Sequence, residues 1–79
     1  MSAPLTLYGT SACHLCDQAK GILEEAGLAF VWVDIAADAA LLERYGVRIP
    51  VVRHPAGGRE LDWPFDRSSL VAFIQTWEA

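Results

Sequence analysis

Apolar residues fall into short groups whose spacing alternates between strand and helix periods. Leu5 to Tyr8 is an apolar run that reads as a buried strand. Gly9 to Ala12 is turn-like and leads to a helix from about Cys13 to Ala26, with Gly27 as its stop. Cys16, Ala19, Leu23 and Ala26 recur at helical spacing and form its inner face. Ala29 to Val33 is a second strand, and Asp34 to Ala37 connects it onward. Asp38 caps a helix of about two turns carrying Leu41, Leu42 and Tyr45, and Gly46 ends it. Val51 and Val52 begin a third strand, and an Ala56-Gly57-Gly58 turn folds it into Glu60-Leu61-Asp62. Asp66 caps a last helix whose Leu70, Phe73, Ile74 and Trp77 lie on one face. Trp32, Phe73 and Trp77 read as packing residues.

The predicted order is β-α-β-α-β-β-α, an α/β fold with a four-stranded mixed sheet and three helices. Strands one and two, joined through a helix, should be parallel with a right-handed crossover. Strands three and four should form an antiparallel hairpin. The crevice of such a sheet opens at the carboxyl ends of its parallel strands, where the turn before Cys13 lies.

Seventy-nine residues, 53% of them hydrophobic, make a single domain spanning 1–79 with one modest core. Ten acidic against six basic side chains give a formal charge of −4, which suits neither a nucleic-acid backbone nor an anionic membrane. No apolar run approaches the ~20 residues of a membrane helix. No basic, apolar leader is visible at the start, so the expected location is the cytoplasm. There, a cysteine pair is more often catalytic than structural.

Cys13-His14-Leu15-Cys16 holds the only two cysteines. One copy therefore supplies neither a disulfide framework nor a four-cysteine metal site. A cysteine at a helix start meets unpaired N–H groups and the positive end of the dipole, both of which favour the thiolate. His14 either tunes that thiolate or is simply solvated. His54 reads as a surface residue and Asp62 as a turn residue. Arg48 reads as a loop cation, or as a group holding a substrate carboxylate.

The CxxC after a strand, with Gly46-Val47-Arg48-Ile49-Pro50-Val51-Val52 following and then the hairpin and last helix, resembles the glutaredoxins of the thioredoxin fold superfamily. The likeness spans nearly the whole chain. It implies a thiol–disulfide oxidoreductase acting on protein or glutathione mixed disulfides, with Cys13 as nucleophile and Cys16 as resolving thiol. It implies a cis Ile49–Pro50 peptide, with the Ile49 backbone pairing an extended substrate. The substrate groove would then be framed by Ala12, His14, Leu15, Arg48, Ile49, Pro50, Trp63, Phe65 and Asp66. No bound cofactor or metal is expected, glutathione or a reductase would restore the dithiol, and the chain would act as a monomer. Three positions depart from the family pattern. Thr10 stands near the usual lysine, His14-Leu15 replaces Pro-Tyr, and Trp63-Pro64-Phe65-Asp66 replaces Gly-Gly and an acidic pair. Two other readings fit the same residues. One is a non-catalytic binding module using Trp63-Pro64-Phe65. The other is a dimer bridged by a metal or iron–sulfur cluster across two CxxC pairs.

Overall fold

The computed structural model describes residues 4–55 and 58–78. Its elements are β1 (Leu5–Gly9), α1 (His14–Glu25), β2 (Phe30–Asp34), a 3-10 turn (Ile35–Ala37), α2 (Ala39–Tyr45), β3 (Val51–Arg53), β4 (Glu60–Asp62) and α3 (Arg67–Glu78). The sheet order is β2-β1-β3-β4. β1 and β2 are parallel, while β3 is antiparallel to both β1 and β4. The expected mixed sheet with three helices is therefore present.

Alternation along the central strand builds two cores. Leu5 and Leu7 face a cluster with Ala19 and Leu23 of α1, Val52 of β3, Phe65, and Leu70 of α3. Tyr8 points the other way, toward Ile35, Tyr45 of α2 and Val51. Helices α1 and α3 thus cover one face of the sheet, and α2 covers the other.

Differences from the sequence expectation have local causes. β1 runs one residue further because Gly9 pairs with Asp34 of β2. α1 starts at His14, since Cys13 is its extended N-cap residue, and it closes at Ala26 before Gly27, whose φ of 70° needs no side chain. The Asp34 carboxylate accepts from Ala36 N–H at 2.9 Å and organises a 3-10 turn that periodicity does not reveal. Ile35 in that turn is fully buried. Asp38 caps α2 as expected, accepting from Ala40 and Leu41 N–H. Leu42 is 48% exposed, so the inner face of α2 is carried by Leu41 and Tyr45. Asp66 and Ser69 cap α3 reciprocally: Asp66 Oδ1 accepts from Ser69 N–H at 2.8 Å, and Ser69 Oγ accepts from Asp66 N–H at 2.9 Å. Ala56, Gly57 and the Trp77 side chain lie outside the described residues.

Candidate active site

Strand register brings three segments to one end of the sheet. Tyr8 pairs with Val51, so Pro50 stands level with Gly9, and Val51 pairs with Asp62, so Trp63 stands level with Pro50. Trp63 N–H donates to the Pro50 carbonyl at 3.2 Å. The turn after β1, the Ile49–Pro50 loop and the Trp63–Asp66 segment therefore share that end. The Ile49–Pro50 and Trp63–Pro64 peptides are both cis.

Cys13 occupies the N-cap of α1, with φ −97° and ψ 108°. Its sulfur accepts the Cys16 N–H at 3.2 Å, the position an N-cap oxygen usually fills. The Cys13 carbonyl takes the Cys16 and Asp17 N–H groups at 3.1 and 3.3 Å, and Cys13 N–H donates to Thr10 at 3.3 Å. The sulfur sits at the positive end of a twelve-residue helix and remains partly exposed. Ala12, His14 and Leu15 are exposed around it.

Both cysteines are free thiols, but their surroundings differ. Cys16 is fully buried. Burial, then the hydrogen bond with Cys13 and the charges of Cys13 and Asp17, push its thiol up to about 11, against a pull downward from the Thr10 N–H. Cys16 is thus protonated at neutral pH, whereas Cys13 faces solvent with a helix amide on its sulfur.

The loop before Pro50 is held from below. Tyr45 ends α2, and its carbonyl accepts from Arg48 N–H at 2.8 Å and Ile49 N–H at 3.1 Å. An incoming strand would have to displace that Ile49 bond or use the Ile49 carbonyl alone. The Tyr45 ring stacks on Tyr8 at 4.3 Å, and its hydroxyl donates to Glu60. Burial and then the Glu60 carboxylate push that hydroxyl up to about 12.

Arg48 does not stand as a solvated loop cation. Its Nε and Nη2 donate to both oxygens of Asp62 at 3.0 and 2.7 Å, and Nη2 also reaches Glu60 at 2.8 Å. Glu60 and Asp62 alternate onto the same face of β4, which is why one guanidinium meets both. Burial alone would raise Glu60, but bonds from Tyr45 and Arg48 hold its carboxyl below the ordinary range, and Arg48 does the same for Asp62. Arg48 therefore ties the Pro50 loop to β4.

Packing and capping set the surroundings of four further residues. Phe65 is only 6% exposed, and its side chain belongs to the core with Leu70. Trp63 is half-buried against that core, edge-on to Phe65 at 5.0 Å. Asp66 spends its carboxylate on the α3 cap, and Ser69 holds it below its usual range. Pro64, Phe65, Asp66 and Ser69 line a shallow hollow there. His54 is buried at 8% exposure, edge-on to Phe73, rather than on the surface. Among the described residues, no group of three or more His, Cys, Asp or Glu is arranged to hold a metal ion, and no helix is long and apolar enough to cross a membrane.

The family model described as Glutaredoxin-like domain (DUF836) matches residues 4–75. The X-ray structure of Northeast Structural Genomics target protein XcR50 from X. campestris is 53% identical, covers 91% of this chain and 96% of that one, and has a TM-score of 0.86. Protein Ne2328 from Nitrosomonas europaea is 22% identical over 92% and 94% of the two chains, with a TM-score of 0.68. Thioredoxin 1 from Thermosipho africanus is 12% identical over 92% and 91%, with a TM-score of 0.63. The last two likenesses are of fold alone. No curated protein sequence matches.

Proposed function

We propose that this chain, which belongs to the glutaredoxin-like domain family, is a dithiol oxidoreductase that reduces disulfides through Cys13 and Cys16. The observation that carries this reading is the contrast within the pair. One sulfur sits partly exposed on a helix amide at 3.2 Å, and the other is fully enclosed one turn further in. That contrast suits two successive thiol–disulfide exchanges.

The Cys13 thiolate attacks a substrate disulfide R–S–S–R′. A Cys13–S–S–R bond forms, and the electron pair of the broken bond leaves on R′–S⁻, which takes up a proton. Cys16 then loses its proton and attacks the Cys13 sulfur. A Cys13–Cys16 disulfide forms, and R–S⁻ leaves and is protonated. Two thiols of the enzyme are oxidised and one substrate disulfide is reduced. Glutathione or a reductase then returns the pair to the dithiol. The cycle uses no bound cofactor or metal, one copy of the chain suffices, and a reducing compartment such as the cytoplasm suits it. Substrates are protein disulfides or glutathione mixed disulfides, approaching along the Ile49–Pro50 loop.

Removing only the resolving thiol separates the two exchanges. With a protein disulfide and no added thiol, Cys16→Ser should accumulate a stoichiometric mixed disulfide on Cys13, seen by mass after acid trapping. Wild type should show the Cys13–Cys16 disulfide instead. Absence of any adduct from Cys16→Ser would sink the two-step scheme.

A further inference from the structure

The sulfur that attacks in the second exchange of the proposed cycle shares the space over Gly9 with a side chain from β2. A methyl group placed on Gly9 would lie 2.6 Å from Trp32 Cη2, 2.9 Å from Trp32 Cζ3 and 2.7 Å from Cys16 Sγ. The indole edge and the sulfur therefore converge on the bare Cα of Gly9. Sequence and register produce this meeting. Leu7 pairs with Trp32, and Gly9, two residues on, lies on the same face of β1. Cys16 and Lys20 are one turn apart on the same side of α1. The Lys20 ammonium lies 3.8 Å from the centre of the Trp32 ring and pins it by a cation–π contact.

We propose that Trp32 is a positioning residue for the resolving step, its indole shutting water away from Cys16 Sγ and so setting how fast a mixed disulfide on Cys13 is resolved. This rests on the dithiol reading above. The Trp32 indole and the Cys16 sulfur share the space over Gly9, and burial raises the thiol above its ordinary value. The charged groups around it are Cys13 and Asp17, which favour the thiol, and Lys20 beyond the indole. Thr10 N–H favours the thiolate. Gly9 and Trp32 do not titrate.

The consequence is a long-lived intermediate near neutral pH. A thiol at about 11 is rarely ionised there, so resolution speeds up as pH rises toward that value. Opening the site to water moves the thiol toward its ordinary 9.0 and shifts the rate profile to lower pH. The gain in thiolate is partly offset by weaker nucleophilicity, leaving an acceleration at neutral pH of about tenfold at most.

The test uses the full chain and an equimolar aromatic disulfide, dithiobis-nitrobenzoate, which releases a coloured thiol at each exchange. The first release reports attack by Cys13 and the second reports resolution by Cys16. Trp32→Leu and the milder Trp32→Phe, both checked for folding by thermal melting, should speed the second release in the order Leu, Phe, wild type. The first release should be unchanged. A second release with the wild-type rate and pH profile in either folded variant would overturn the proposal. Thiolate absorbance of Cys16 in a Cys13→Ser background gives an independent reading. Its midpoint should lie above the ordinary value and fall when Trp32 is replaced, and a midpoint that ignores Trp32 would also overturn it. A missing first release, by contrast, would count against the nucleophile assignment itself.

Discussion

Replacing Cys13 with serine should lower disulfide reduction by on the order of a thousandfold or more while leaving the fold intact. In the proposed cycle the sulfur of Cys13 is the atom that bonds to substrate, and a serine hydroxyl at neutral pH is neither ionised nor able to form the mixed disulfide. The same substitution is benign for structure. Cys13 is the N-cap of α1 and its sulfur accepts one helix N–H. Serine is among the preferred N-cap residues, so the helix start keeps its hydrogen bond. Turnover with a protein disulfide, measured beside a thermal melt, separates chemistry from stability. An unchanged melt with activity gone is the expected result. Full activity in the variant would remove Cys13 from the mechanism.

Tyr45→Ala should cost about 3–5 kcal/mol of stability, from the loss of a buried aromatic and the cavity it leaves. Tyr45 is 1% exposed and stacks on Tyr8, and the guanidinium carbons of Arg44 and Arg48 lie 5.3 and 5.2 Å from its ring centre. A domain of 79 residues has only about 4–12 kcal/mol in total, so this loss takes much or all of it. Tyr45→Phe isolates the hydroxyl. It removes the bond to Glu60, a charge-assisted one worth about 1.5–3 kcal/mol, and leaves the stack. Urea unfolding of the two variants should show the phenylalanine chain folded and clearly more stable than the alanine chain. Similar losses in both would mean that the hydroxyl, not the ring, carries the contribution. The effect reaches the site, since the Tyr45 carbonyl holds the N–H groups of Arg48 and Ile49 ahead of Pro50.

Features that depend on neighbours in sequence were legible before the structure. The Asp38 and Asp66 caps, the helix beginning at the cysteine pair and the β3–β4 hairpin all follow from local hydrogen bonding or short-range pattern. What was not legible depends on register between distant strands. Arg48 reads as a loose cation until the hairpin sets Glu60 and Asp62 on the face above Tyr45. Trp32 reads as ordinary packing until the parallel register of β1 and β2 carries its ring to Gly9 and Cys16. Phe65 and His54 look available in sequence because each adjoins a turn, yet α3 folds back over both. Phe65 joins Leu70 in the core, and His54 meets the edge of Phe73. The 3-10 turn escaped because a single aspartate, Asp34, organises it without any periodic signal.

In the proposed mechanism Cys13 and Cys16 cycle between dithiol and disulfide. A redox titration in defined glutathione buffers, with mass analysis of acid-trapped species, measures this directly. The expected result is a reversible Cys13–Cys16 disulfide with a potential near the cytosolic poise of roughly −220 to −320 mV. A pair that stays reduced, with neither disulfide nor glutathione adduct under oxidising buffers, would contradict it.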